Sequence, residues 1–150
     1  RGETFVTKKI ITGLVNILKN KKNKIYLGNL YAKRDWGHAE DYVEAMWLMM
    51  QQKNADDFVI ATGRQYSVKE FINEVVNQLN MKVIWKGKGI QEKAYFNGKC
   101  IIEISKRYFR PLEVDSLLGD FKKAKKKLNW KPKHNLKSLV NDMINEELTN

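Results

Sequence analysis

Residues 39–62 constrain the fold more than any other stretch. Tyr42, Val43, Ala45, Met46, Trp47, Leu48, Met49 and Met50 spread apolar side chains nearly all round a helix predicted over 39–52. Such a helix belongs between layers, and its methionines read as core filler. Asp57 to Thr62 follows, a short apolar run closed by Gly63 and typical of a buried strand. A buried helix feeding a buried strand calls for a layered α/β architecture.

The flanking segments fit that class. Val6, Ile10, Leu14 and Ile17 line one stripe of a helix over 4–19, with Thr4 or Thr7 placed to cap its start. Lys24 to Asn29 reads as a short strand. Ser67 and Glu70 have capping-box spacing, and the helix they open buries Phe71, Val75 and Leu79. Strands are predicted at Lys82 to Lys86 and Cys100 to Ser105. Residues 87–99, with three glycines and Asn97-Gly98, read as a loop or hairpin. Phe121, Ala124 and Leu128 put the lysines of 122–127 on the outer arc of a helix, and a last helix over 136–148 buries Leu139, Val140, Met143 and Ile144.

At 150 residues the chain fits one domain, and 43% hydrophobic residues with four tryptophans argue for a packed core. The single cysteine, Cys100, cannot form an intrachain disulfide, which favours a reducing, cytoplasmic setting. No apolar run approaches the ~20 residues of a membrane span, and the opening residues show no signal-peptide pattern. The start at Arg1, without targeting character, is that expected of an excised fragment. A net charge of +11 suggests an anionic partner. A stand-alone module for nucleic acid or another polyanion is therefore one reading, although no recognised nucleic-acid module accompanies the charge.

Chemistry is concentrated in two segments, KRDWGH at 33–38 and RYFRPLEVD at 107–115. Each sets arginine beside an aromatic and a carboxylate on a loop feeding a helix. Arginine offers a planar fork of donors to phosphate oxygens, and a nearby carboxylate can accept from sugar hydroxyls. Arg34 reads either as a ligand contact or as one half of a structural Arg–Asp pair. Arg110 and Glu113 read either as ligand contacts or as local pairing partners. Other signals fail. Gly87 and Gly89 lack the third glycine of a dinucleotide loop, which would fall on Glu92. Tyr95 and Lys99 have Tyr-x-x-x-Lys spacing, but Asn97-Gly98 between them favours a turn over a helix. His38 and His134 lie far apart with no cysteine or carboxylate at metal-ligand spacing, so no zinc site is supported. His38 reads as orienting a loop or capping the next helix.

RGETFVTKKI at 1–10, YLGNL at 26–30, KRDWGHAEDYV at 33–43 and FVIATG at 58–63 closely resemble the GDP-mannose 4,6-dehydratase family. So do the second arginine segment, LGD at 118–120 and NWKP at 129–132. The family is part of the extended short-chain dehydrogenase/reductases, and the resemblance covers only the C-terminal part of its chain. It implies an α/β substrate-binding portion spanning 1–150, with residues of about 39–62 adding one helix and one strand to a Rossmann layer. It also implies NADP-dependent dehydration of GDP-mannose to GDP-4-dehydro-6-deoxy-mannose by a cytoplasmic homo-oligomer, on the route to GDP-fucose and GDP-rhamnose. Arg34 and Arg110 would meet the pyrophosphate, Glu113 the ribose hydroxyls, Lys9 the phosphates or guanine, and Arg1 the NADP. The family's catalytic tyrosine, lysine, threonine and glutamate map onto nothing here, so a fragment of this extent is expected to be inactive alone.

Overall fold

The computed structural model describes residues 5–108 and 114–149. In chain order the elements are α1 (Val6–Leu18), β1 (Ile25–Leu27), β2 (Lys33–Arg34), α2 (Ala39–Met50), β3 (Tyr66–Ser67), α3 (Val68–Gln78), β4 (Val83–Lys86), β5 (Lys93–Phe96), β6 (Lys99–Ile104), α4 (Lys122–Leu128) and α5 (Leu136–Thr149). One sheet has the order β1-β6-β5-β4, with β1 parallel to β6 and the other pairs antiparallel. β2 and β3 form a separate antiparallel ribbon.

The main core joins the sheet to α1, α3 and α5. Ile10, Leu14, Ile25, Phe71, Ile72, Val75, Ile102 and Val140 are all sealed within it. The apolar spacing of α1 and α3 dictates this, since residues three and four apart share one helical face. Local chemistry sets the ends. Ser67 and Glu70 complete the expected capping box, the Glu70 carboxylate accepting from the Ser67 amide at 2.6 Å and the Glu70 amide donating to Ser67 Oγ at 3.1 Å. Those Ser67 hydrogen bonds hold the Glu70 carboxyl below the usual range. Asn20, Asn80 and Asn129 take the left-handed conformation where α1, α3 and α4 stop, a geometry asparagine tolerates better than most residues. Asn97 and Gly98 share that sign of φ and turn β5 into β6. Tyr95 therefore sits across a hairpin from Cys100, and no helix links it to Lys99.

The hairpin reading of residues 87–99 is met by β5 turning into β6. Three expectations are corrected. Thr7 lies buried inside α1 rather than capping it, and the N-cap residue is Phe5; Thr4 is outside the described residues. Residues 57–62 form no strand, because among the described residues nothing offers them a ladder partner. The helix α2 is not enclosed: Val43, Met46, Trp47 and Met50 are 56–82% exposed. Only its opposite side is covered, where Ala45 meets Ala124, Leu128 and Trp130 in a second, smaller core with Tyr42, Phe58, Ile60 and Phe121 packed round it.

A buried carboxylate locks the sheet to α3. Glu92 is 3% exposed, accepts from Tyr31 Oη at 2.5 Å and pairs with Lys69 Nζ at 2.5 Å. Burial works to raise its pKa, but the Lys69 ammonium and the Tyr31 hydroxyl outweigh burial and hold it below the ordinary value. Its stabilising effect is therefore complete above the ordinary glutamate pKa of about 4.3 and is lost as pH falls through the lowered folded value. Glu92→Gln is expected to cost about 1–3 kcal/mol at neutral pH and to flatten the acid limb of a melting-temperature profile. The uncovered face of α2 leads to a second expectation: the chain self-associates at high concentration. Replacing Trp47 and Met50 together by lysine should remove that concentration dependence in sedimentation velocity, with stability changed by no more than about 1 kcal/mol.

Candidate functional site

The first arginine segment does two separate jobs. Asp35 turns inward and accepts from the main chain of distant residues. Its Oδ1 takes the Thr62 amide at 2.9 Å and the Thr62 hydroxyl at 2.5 Å, and its Oδ2 takes the amides of Gly63 at 3.0 Å and Gly119 at 3.4 Å. The carboxylate is thus committed to the backbone rather than offered to a sugar. Arg34 faces the other way. Its Nη1 donates to the carbonyls of Lys33 at 2.8 Å and Val114 at 2.7 Å.

Arg34 lines a cleft of about 560 Å³ with Lys9, Gly28, Asn29, Val68 and Tyr108. Five segments deliver these groups, with Arg34 on β2 and Val68 at the start of α3. α1 carries Lys9, the turn after β1 carries Gly28 and Asn29, and the chain leaving β6 carries Tyr108. Lys9 Nζ lies 3.7 Å from the centre of the Tyr108 ring, a cation–π contact that steers the ammonium. Gly28 is required by close approach, since a Cβ there would overlap the Tyr108 carbonyl.

Both described ends of the second arginine segment reach the first. Tyr108 is at the cleft wall, and Val114 accepts from Arg34. Next along, the Lys33 amide donates to the Asp115 carbonyl at 2.7 Å and the Leu117 amide to the Lys33 carbonyl at 3.1 Å. Of the site residues expected from sequence, Lys9 and Arg34 are therefore brought together, while Arg1, Arg110 and Glu113 lie outside the described residues. Tyr108 and Gly28 were not singled out. The signal for them was a glycine ending one strand and an aromatic shortly after another, which acquires meaning only once β1 and β6 are known to be neighbours.

The lysine run behaves as a solvated helix face with local pairing. Lys123 and Lys127 clamp Asp56 at 2.5 and 2.8 Å, and Lys122 meets Asp120 at 3.3 Å. The two lysines on Asp56 hold its carboxyl far below the usual range. His38 caps α2, its Nδ1 accepting from the Glu40 amide at 3.2 Å. His134, distant in sequence, stacks on it with ring centres 4.1 Å apart.

The family model for GDP-mannose 4,6 dehydratase matches residues 1–143. The chain belongs to the GDP-mannose 4,6-dehydratase family. It is 47% identical over 150 residues to the GDP-mannose 4,6 dehydratase of Drosophila melanogaster and 45% identical over 150 residues to that of Homo sapiens. Each match covers 99% of this chain and 38% and 40% of the respective relative, so the chain spans about two fifths of their length. Among solved structures it is similar to RMD from Pseudomonas aeruginosa complexed with NADPH, with a TM-score of 0.80 at 13% identity, covering 99% of this chain and 44% of that one. It is also similar to dTDP-glucose 4,6-dehydratase from Bacillus anthracis in complex with NAD, with a TM-score of 0.74 at 15% identity, covering 100% and 41%. These likenesses establish an α/β fold shared with part of each of those nucleotide-cofactor-bound chains. The reading as a stand-alone polyanion-binding module finds no support. No helix among the described residues is long and apolar enough to cross a membrane.

Gly28→Ala tests the wall of the cleft. Forcing the Tyr108 backbone outward is expected to cost about 1–3 kcal/mol, and denaturant titration should detect it.

Proposed function

We propose that this chain is the nucleotide-sugar-binding part of a GDP-mannose 4,6-dehydratase and grips GDP-mannose for NADP-dependent dehydration to GDP-4-dehydro-6-deoxy-mannose. The observation that carries the reading is the convergence of Lys9 and Arg34 on one cleft whose wall and rim hold both described ends of the second arginine segment. Arg34 and Arg110 meet the pyrophosphate, Lys9 lies by the phosphates or guanine, and Glu113 accepts from the ribose hydroxyls. Two guanidinium groups suit a diphosphate because each presents parallel donors to paired oxygens. Tyr108 positions Lys9 beside them.

NADP supplies the hydride exchange when bound, and Arg1 is the one residue of this chain assigned to it. The residues here bind and orient the sugar nucleotide; the acid–base groups belong to the remainder of the full-length enzyme, and this chain alone does not turn over substrate. In the full-length enzyme α2 docks on the Rossmann layer, which accounts for an apolar helix face uncovered among the described residues, and residues 57–62, which form no strand here, find their ladder partner in that layer. The full-length enzyme is a cytoplasmic homo-oligomer.

Calorimetric titration with GDP, UDP and ADP tests the reading. GDP should bind best, and Arg34→Lys, which keeps the charge but loses the planar fork, should weaken it about tenfold. Equal weak binding of all three nucleotides, unchanged by Arg34→Ala, would remove the specific site.

A further inference from the structure

The stacked histidines lie outside the nucleotide cleft, beside a second cleft of about 510 Å³ between the start of α2 and α5. They are the only two histidines in the chain. His38 Nε2 is 3.3 Å from Asp142 Oδ2, and His134 Nε2 is 3.8 Å from Glu40 Oε2. One nitrogen from each ring and one Asp142 oxygen all fall within 4.8 Å of one another. We propose that His38, His134 and Asp142 form a three-ligand site for a divalent transition metal of the zinc type, joining the N-terminus of α2 to α5.

The donor set is suited to such an ion. Two imidazoles and one carboxylate are a common zinc complement and leave a fourth position for water or for Glu40. His134 is already prepared for it. Asp41 Oδ1 is 3.0 Å from His134 Nδ1, while Asp41 Oδ2 accepts the His134 amide at 3.0 Å. Accepting from both, the Asp41 carboxylate fixes the proton on Nδ1 and leaves the Nε2 lone pair outward, the carboxylate–histidine support typical of metal ligands. His38 has to change tautomer. Its Nδ1 now accepts from the Glu40 amide, so the neutral ring carries its proton on Nε2, facing Asp142. With the metal bound, Nε2 loses that proton to solvent, Nδ1 takes one up, and the ring stays neutral while the Glu40 cap is given up.

Ligands about 2.1 Å from a tetrahedral ion lie about 3.4 Å apart, and each nitrogen lone pair lies in its ring plane, so the near-parallel stack, 21° between planes, must open by rotation of the His38 ring as it leaves its cap. The half-exposed Asp142 side chain can follow that movement.

The test uses the whole chain and Zn²⁺, with binding read by competition against a chromophoric chelator, by the visible spectrum of Co²⁺ and by melting temperature. One equivalent should bind, raise the melting temperature and give the intense bands of tetrahedral cobalt. His134→Gln and Asp142→Asn should each weaken binding at least about tenfold, because loss of even an outer partner costs 10–100-fold. Should His134→Gln fail to fold, Asp142→Asn, at a half-exposed position, decides alone. Absence of a zinc-dependent rise in melting temperature overturns the proposal. So does unchanged affinity in Asp142→Asn, or loss of binding in Cys100→Ser, which would place the ion elsewhere.

Discussion

The Asp35 carboxylate is the join on which the rest of the molecule depends. Four donors from two distant stretches, Thr62 with Gly63 on one side and Gly119 on the other, converge on its two oxygens. A buried or half-buried amide without an acceptor costs more than an ordinary hydrogen bond returns, so this one side chain satisfies groups that no regular element covers. It also ties the smaller core, built on α2, α4 and Trp130, to the β2–β3 ribbon that borders the main core. Gly119 packs against Ala61 so closely that a Cβ there would overlap it. The aspartate anchors the frame; the arginine before it faces the cleft.

That division separates the two residues by task. Arg34 donates to the carbonyl oxygens of Lys33 and Val114, and Lys9 is steered by the Tyr108 ring. Both contacts restrain the direction in which a cation points. By contrast, Lys8, Lys24, Lys93, Lys123 and Lys127 are matched with carboxylates. Glu103, held by Lys24 and Lys93, is kept below the usual carboxyl range by those two ammonium groups. The net positive charge of the chain is thus a poor guide to where an anion sits, and the manner of each cation's restraint is a better one.

Much of the frame was legible in sequence where local chemistry is self-contained. The Ser67–Glu70 box, the Asn97-Gly98 turn and the stripes of α1 and α3 each depend on neighbours within a few positions, so spacing alone identifies them. The lysine helix was legible for the same reason. What failed depends on packing partners distant in sequence. An apolar run becomes a strand only beside another strand, and residues 57–62 have none among those described. α2 shows a nearly all-apolar pattern, yet among the described residues only one of its sides is covered. The paired histidines were invisible because α2 and the chain before α5 meet only in the fold, through Trp130 Nε1 on the Asp41 carbonyl and His134 on the Asp41 carboxylate.

The parallel pairing of β1 with β6 has a further consequence. Ile25 to Leu27 lie against Ile102 to Ile104 running in the same direction, so both strands discharge their following residues at the same edge of the sheet. Gly28 and Tyr108 are neighbours for that reason alone. Because this is the longest-range pairing in the sheet, the cleft cannot exist before the chain has closed on itself, and loop closure of that kind is among the slower events in folding. The integrity of the cleft is therefore tied to the most distant pairing of the sheet: whatever opens β1 from β6 also separates Gly28 from Tyr108.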